Sequence, residues 1–210
     1  MLPTKPIIGA LALLLASVVT AQETPVTTEK KLAITVPATA NIFAAGQSTS
    51  FSGTLPPVVQ LTPGSFCTVE FAAAGFVTLG GDEPYSGPHG IPFFSGTNLA
   101  SIDGISGIID YPLGFFLTGV FLDDSTPSGN GPAILNFTDH EDFTVLKPLL
   151  FQTFYIGTGF TGITHQVFVV PPHATRLFLG ISDGCVLDSG GPPGCYNDNV
   201  GTFYVSVALR

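Results

Sequence analysis

Glycine and proline divide this chain into short segments, and the shortness of these segments limits which secondary structures it can form. The 210 residues include 25 Gly and 18 Pro. Clusters of Gly, Pro, Asn, Asp and Ser separate short runs rich in β-branched and aromatic residues, a pattern typical of an all-β sandwich. We therefore predict an antiparallel β-sandwich with nine strands: Leu32–Val36, Phe66–Thr78, Gly104–Ile109, Phe115–Leu122, Ala133–Phe137, Gln152–Ile156, Val167–Val170, Thr175–Ile181 and Gly201–Ala208.

Two segments sharpen this prediction. In the last run, Phe203, Val205 and Val207 would share one face of the strand while the alternate residues take the other. No segment has ten residues with helical periodicity. The only candidate for a helical turn is Phe143–Leu150, which contains the helix-breaking Pro148.

Composition and charge exclude several classes of protein. With 45% hydrophobic and 10% charged residues, the chain is neither a disordered segment nor a coiled coil. Six basic residues against fifteen acidic ones give a net charge of −9. Because nucleic acids and anionic membrane surfaces attract Lys/Arg clusters, we expect neither as a partner.

The first residues read as a secretory signal peptide, residues 1–21. Lys5 precedes an apolar run from Ile7 to Val19, and Val19 and Ala21 are small residues in the positions that a signal peptidase reads. The run is shorter than the roughly 20 apolar residues that span a bilayer. We expect a secreted protein without membrane insertion, with a flexible leader at 22–31 and a single domain at 32–210.

An exported chain can form disulfides, and three cysteines follow the predicted signal peptide. Cys185 and Cys195 flank a Gly/Pro-rich loop and are the expected pair. Cys67 lies in a predicted strand and is expected to be a buried thiol, although the sequence leaves open its pairing with either loop cysteine. Neither the cysteines nor the scattered histidines have the spacing of a zinc site.

Acidic and amide side chains border the same loop. Asp183 follows one predicted strand, and Asp198 and Asn199 precede the next, so the three should converge at one end of the sandwich. Oxygen ligands gathered in this way suit Ca²⁺. The alternative is an ordinary strand-joining turn, in which Asp, Asn and Gly are the default residues.

Three motifs resemble the calcium-dependent galactophilic lectins of the PA-I type, which are galactose-binding-like (jelly-roll) β-sandwiches. The C-terminal motif is Leu179-Gly-Ile-Ser-Asp183 followed by Tyr196-Asn-Asp-Asn-Val-Gly-Thr-Phe203. Two supporting motifs are Phe168-Val-Val-Pro-Pro-His-Ala-Thr-Arg-Leu-Phe-Leu179, similar to the family's paired strands across a Pro turn, and Ala73–Leu79 followed by Tyr85-Ser-Gly-Pro-His-Gly90. Val36-Pro-Ala-Thr-Ala-Asn-Ile-Phe43 and Val120-Phe-Leu-Asp-Asp-Ser125 are similar to segments of exported bacterial proteins that often end in a PEP-CTERM sorting tail, a tail that we do not expect here.

The resemblance implies a ligand set and a partner. Asp183, Asp198 and Asn199 would give side-chain oxygens to Ca²⁺, and Cys195 and Leu79 would give main-chain carbonyls. Two sugar hydroxyls would complete the calcium shell, as neutral oxygen ligands whose protons the acidic ligands accept. Carbohydrate is therefore the expected partner, contacted by Asp183, Asp198, His89 and Tyr85. In a chain without Trp, Tyr85 or Tyr196 would be the stacking residue.

The sequence departs from those lectins at two places. The loop from 184 to 197 is longer than in those lectins and could cover the sugar position, and His89 does not align with their galactose ligands.

Enzyme activity is not expected, because Asp123-Asp124, Asp139, Glu141 and Asp142 read as solvated turn acids and no nucleophile motif is present. We expect a lectin-like calcium-binding module, the alternative being a structural or cell-surface protein in which Ca²⁺ only stabilises the fold.

Overall fold

The protein was analysed as a computed structural model, which describes residues 29–78, 85–92 and 96–210. The predicted signal peptide and nearly all of the predicted leader lie outside these residues. None of the helices in the described part of the chain is long and apolar enough to cross a membrane.

The described residues form an almost entirely β structure, as the sequence predicts. Two short 3-10 helices occur, Ile42–Ala44 and Tyr196–Asp198. The strands are β1 (Lys30–Pro37), β2 (Val58–Gln60), β3 (Thr68–Thr78), β4 (Tyr85–Ser86), β5 (Ile91–Pro92), β6 (Thr97–Leu99), β7 (Ile108–Asp110), β8 (Leu113–Gly114), β9 (Leu117–Leu122), β10 (Leu135–Asn136), β11 (Val145–Leu146), β12 (Thr153–Tyr155), β13 (Phe160–Thr161), β14 (Thr164–His165), β15 (Val167–Val169), β16 (Arg176–Ile181) and β17 (Val200–Leu209).

Two sheets carry most of the structure. The six-stranded sheet has the order β1-β17-β3-β15-β11, with β4 also pairing with β3, and the four-stranded sheet has the order β12-β9-β16-β2. A three-stranded sheet (β10-β7-β6) and two small hairpin-like pairs (β13-β14 and β5-β8) complete it. Pairing is antiparallel except for β10 with β7 and β11 with β15.

The core lies between the two main sheets. Burial alternates along β17, where Phe203, Val205 and Val207 are buried while Tyr204 and Ser206 are exposed, as the sequence predicts. Phe154 of the four-stranded sheet packs on Phe168 of the six-stranded sheet, with ring centroids 5.3 Å apart. Burying these aromatic rings supplies much of the hydrophobic free energy that holds the sheets together.

Several local expectations need correction. Phe143–Leu150 is not a helical turn, because it contains β11, which pairs with β15 beside it. Cys67 is not a buried thiol, since it precedes β3 and its free side chain is exposed. The strands on either side of Pro171-Pro172 are not paired: β15 belongs to the six-stranded sheet and β16 to the four-stranded sheet.

Gly75 is required where β3 and β17 approach each other closely. Its φ is +114°, and a Cβ atom built on it would lie 2.3 Å from the Thr202 carbonyl oxygen. Gly64 also has a positive φ, +74°, but a Cβ there would meet nothing within 4 Å. Comparing alanine substitutions at the two positions therefore separates the cost of backbone strain from the cost of a steric clash.

We expect Gly75→Ala to destabilise the protein more than Gly64→Ala. Backbone strain alone should cost about 1 kcal/mol at Gly64, which for a domain of this size lowers Tm by roughly 2–4 °C. The clash at Gly75 should at least double that decrease, because a paired carbonyl cannot move away without breaking the ladder. Thermal melting followed by circular dichroism measures both, and equal decreases would contradict the clash.

Candidate functional site

The loop from 182 to 199 connects the two main sheets. It leaves β16 in the four-stranded sheet and enters β17 in the six-stranded sheet. Ser182 and Asp183 directly follow β16 and are fully buried, and Asn199, directly before β17, is also buried. Both ends of the loop thus carry polar side chains into the interior, where each needs a partner.

The carboxylate of Asp183 is held at both oxygens. The Gly184 N–H donates to Oδ1 at 2.7 Å, and Asn199 Nδ2 donates to Oδ2 at 2.6 Å. This contact joins the two ends of the loop, and the predicted convergence of Asp183 with Asn199 is present. Asp198 ends a 3-10 helix and is exposed, close enough for its charge to act on Asp183.

Tyr196 contacts the main chain at the start of the same loop. Its side chain is fully buried, so the prediction that it could stack on a sugar is wrong. Its hydroxyl donates to the Ile181 carbonyl at 2.8 Å and accepts the Asp183 N–H at 3.2 Å. We refer to Asp183, Tyr196, Asp198 and Asn199 as the Asp183 cluster. Because Tyr196 bonds to the main chain on both sides of Ser182, it fixes the exit from β16.

The predicted disulfide between Cys185 and Cys195 is present, with 5.1 Å between the Cα atoms. Cys195 has a φ of +61° and precedes the second 3-10 helix. The Ser52 hydroxyl accepts the Tyr196 N–H at 3.0 Å, which ties the loop to a neighbouring turn. A crosslink over so short a loop stabilises by about 3 kcal/mol in the chain-entropy model and restricts the backbone that leads to Asp198.

Burial raises the pKa of Asp183 to about 7, and the charge of Asp198 adds to the increase. The hydrogen bonds from Asn199 and Gly184 act in the opposite direction. Burial also raises the pKa of Tyr196, so this hydroxyl remains protonated. A buried carboxylate near a second one is the electrostatic setting in which a cation or a proton is bound.

Asn199 has an unsatisfied oxygen. Its Nδ2 contacts both Asp183 Oδ2 and, at 3.2 Å, the Ala38 carbonyl, while its Oδ1 is buried without a hydrogen-bond partner. The 2.6 Å contact with Asp183 is shorter than the usual 2.7–3.2 Å range of an N–H···O bond. In this orientation Nδ2 donates to both of its neighbours, and Oδ1 is the atom of the amide that has no hydrogen-bond donor beside it.

The donor chemistry of these residues therefore fits a hard cation such as Ca²⁺. The side-chain donors are two carboxylates and one amide oxygen, all of the type that Ca²⁺ prefers. In the described part of the chain, no group of three or more His, Cys, Asp or Glu side chains is placed to hold a metal ion. The predicted set contains only two such side chains, and main-chain oxygens would have to complete it.

The remaining predicted site residues are Leu79, His89 and Tyr85. Leu79 lies outside the described residues. His89 is exposed, and its Nδ1 lies 2.6 Å from the Tyr155 hydroxyl. Tyr85 lies on the outer face of the six-stranded sheet, where its backbone pairs with Thr78.

A second buried acid was not found from the sequence. Asp110 at the end of β7 is fully buried, and neither of its carboxyl oxygens has a hydrogen-bond donor. The neighbouring segment is fixed to both sides of it: the Phe137 N–H donates to the Ile109 carbonyl at 2.8 Å, and the Tyr111 N–H donates to the Thr138 hydroxyl at 3.0 Å. The only sequence signal is one Asp at the end of an apolar run.

Glu141 meets Asp110 through its carboxyl group, and we call the two residues the acid pair. Gln166 holds Glu141 by donating to its main-chain carbonyl at 2.6 Å. Glu141 is half-buried, so it is not simply a solvated turn acid, whereas Asp139 and Asp142 are exposed. Burial first, and then the charge of Glu141, raises the pKa of Asp110 to about 8. The acid pair therefore retains a proton at neutral pH.

The acid pair also affects a buried tyrosine. Burial raises the pKa of Tyr155, and the charges of Asp110 and Glu141 add to the increase. The Tyr155 ring packs against Phe137 at 5.8 Å and Phe116 at 5.1 Å between centroids. Aromatic rings thus surround Tyr155, which lies close enough to the acid pair for the charges of the pair to act on its hydroxyl.

Comparison with known proteins adds no identity: no protein-family model matches the sequence, and no curated protein matches it. The lectin resemblance therefore stays a prediction that rests on its motifs.

We expect stability in EDTA to fall as pH rises, in part because of Asp110. Its pKa is about 8 in the folded protein against an ordinary value of 3.8. Between these values the folded state holds a proton that the unfolded state releases, so deprotonation favours unfolding. Asp110→Asn should flatten the decrease in Tm between pH 5 and 9 and give a higher Tm than the unmodified protein at pH 9.

Asp142→Asn is the matched control, because it removes an exposed acid next to Glu141 and should keep the original slope. Glu141→Gln is a second variant that tests the pair from its half-buried side. A slope unchanged in both Asp110→Asn and Glu141→Gln would contradict the shared proton.

Proposed function

We propose that the protein is a secreted, calcium-binding β-sandwich that binds carbohydrate. The observation that carries the calcium proposal is the contact between Asp183 and Asn199, two buried side chains only 2.6 Å apart, one of which has an unsatisfied oxygen. An unpartnered buried oxygen costs about 1–3 kcal/mol, and a cation would remove that cost.

The proposed ligands are the predicted ones. Asp183 and Asp198 would give carboxylate oxygens and Asn199 its Oδ1, with main-chain carbonyls of Cys195 and Leu79 as the resemblance implies. A bound Ca²⁺ would supply positive charge and coordination positions for neutral oxygens. In this proposal the disulfide at Cys195 limits the motion of the loop that brings Asp198 to the ion.

Sugar binding is the second part of the proposal. Asp198 is exposed, so a ligand hydroxyl could approach the proposed ion from its side. Exposed side chains at His89 and Tyr85 are available for polar and stacking contacts. A hydroxyl that coordinates Ca²⁺ becomes a stronger hydrogen-bond donor, and a carboxylate beside it is a strong acceptor.

The burial of Asp183 favours the alternative, in which Ca²⁺ only stabilises the fold. This side chain is fully buried, and its main-chain N–H is bonded to Tyr196. An ion held mainly by Asp183 and Asn199 would join the ends of the loop without presenting an open face. The two functions share the ion and differ only in access to it.

Export is supported by two independent features. The N-terminal sequence has the charge, apolar run and small residues of a secretory signal. The disulfide between Cys185 and Cys195 is stable in oxidising compartments and rare in the cytosol.

We expect calorimetry to show one Ca²⁺ bound per chain after treatment with EDTA and dialysis. At 100 times Kd, binding should stabilise the fold by about 2.7 kcal/mol, which raises Tm by roughly 5–10 °C. Asp198→Asn is the primary variant, because the residue is exposed and its loss should not disturb packing. It should weaken Ca²⁺ binding at least about tenfold.

Asp188→Asn is the control, since it removes an acid of the same loop that is not a proposed ligand. It should bind Ca²⁺ like the unmodified protein. Absence of both a calorimetric signal and a Tm increase in the unmodified protein would overturn the calcium proposal.

We expect a glycan array to show binding that EDTA abolishes and Asp198→Asn reduces, because sugar hydroxyls would coordinate the ion. The array must be probed with protein that circular dichroism shows to be folded. A blank array for folded, calcium-loaded protein would favour the stabilising role of Ca²⁺ over sugar binding.

A further inference from the structure

The outer face of the six-stranded sheet exposes aromatic rings. Four aromatic side chains are exposed among the described residues, and three of them, Phe76, Tyr204 and Tyr85, lie on this face with 65%, 64% and 56% of their surface accessible. The fourth, Phe51, lies outside the strands. We call Tyr204, Phe76 and Tyr85 the aromatic row.

Strand register places these residues on a diagonal. Tyr204 pairs with Ala74 of β3, Phe76 lies two residues further along β3, and Tyr85 pairs with Thr78, two residues further again. β17 and β4 flank opposite edges of β3, because both pair with Val77 and Thr78. Each step is therefore one strand across and two residues along, about 7–8 Å, in a constant direction.

Among the described strand residues, the nearest outward neighbours of the aromatic row are uncharged. The outward residues next to it on β17 and β1 are Val200, Thr202 and Thr35. The charges of this sheet collect at its other end, where Arg210 forms ion pairs with Glu29 and Glu70. A ligand lying along the row would meet rings, methyl groups and hydroxyls, and no charged side chain of these strands.

The exposed rings and hydroxyls of the aromatic row are suited to a flat, uncharged polymer. Sugar rings have apolar C–H faces that pack on aromatic rings, and edge hydroxyls that bond to Thr and Tyr hydroxyls. A second copy of the protein would carry the same net charge of −9, and like-charged molecules repel as they approach, whereas a neutral polysaccharide meets no such repulsion. Regular spacing along one line suits a polymer with a repeating unit better than a single sugar.

We propose that the aromatic row binds a linear, uncharged polysaccharide, independently of Ca²⁺. This goes beyond the proposed function by adding a second carbohydrate surface and its ligand class. It rests on the carbohydrate part of that function but not on the ion. The row and the Asp183 cluster would then hold different parts of a glycan.

The test is a binding isotherm on microcrystalline cellulose and chitin powder in EDTA, with soluble alginate as the anionic polysaccharide. Unmodified protein should bind at least one neutral polymer and not alginate. Tyr204→Ala and Phe76→Ala should each weaken binding roughly tenfold, because each removes one stacking ring. Phe51→Ala, which removes an exposed ring outside the row, should bind like the unmodified protein.

Three outcomes would overturn the inference. They are no binding of either neutral polymer, binding that survives Tyr204→Ala and Phe76→Ala, and a dimer in sedimentation experiments that Tyr204→Ala converts to monomer. The last would assign the face to a second copy of the chain. Calcium-dependent binding on the glycan array, abolished by EDTA and reduced in Asp198→Asn, would stand in any of these cases, so the two proposals fail separately.

Discussion

The pairing of β3 with β17 is the interaction on which the rest of the structure depends. All ten residues of β17 pair with β3, in the interior of the six-stranded sheet. The inward residues of β17 build the core, its outward residues carry Tyr204, and the residue just before it is Asn199. One ladder therefore sets the position of the core, the aromatic row and one end of the Asp183 cluster. Gly75 matters for the same reason, since only glycine allows the two backbones to approach at that point.

Buried acids are the second constraint, because the chain has few cations to pair with them. In the described part of the protein, the ion pairs of Lys31 and Arg210 lie at the exposed end of the six-stranded sheet. Asp183 and Asp110 are therefore stabilised in other ways. Asp183 has hydrogen bonds from an amide and a main-chain N–H, whereas Asp110 has no donor and keeps a proton beside Glu141. The difference is chemical: the two donors to Asp183 favour its carboxylate form and partly oppose the effect of burial, whereas burial and the charge of Glu141 both favour the protonated form of Asp110.

The sequence was sufficient to predict the strands with strong local signals and the loop between β16 and β17. Alternation identified β17, and Asp183, Asn199 and the Cys185–Cys195 disulfide could be placed because all flank one loop. The strands that were missed, such as β2, β6 and β11, are only two or three residues long. Their pairing depends on distant partners rather than on their own periodicity. Asp110 and Glu141 were not paired for the same reason, since 31 positions separate them and only the β7–β10 contact brings them together.

The placement of lysines favours face binding over strand addition at the six-stranded sheet. Its strand order ends at β1 and β11, and the two-residue β4 also pairs on one side only, with β3. Unpaired edges attract other strands unless charges protect them. All three lysines among the described residues lie at β1 and β11: Lys30 and Lys31 in β1, and Lys147 directly after β11. Tyr204 and Phe76 of the aromatic row lie on β17 and β3, away from these lysine-bearing edges, and Tyr85 lies on β4. Tyr204 and Phe76 are therefore placed to contact a ligand that lies across the strands, as proposed, and not a partner that extends the sheet at β1 or β11.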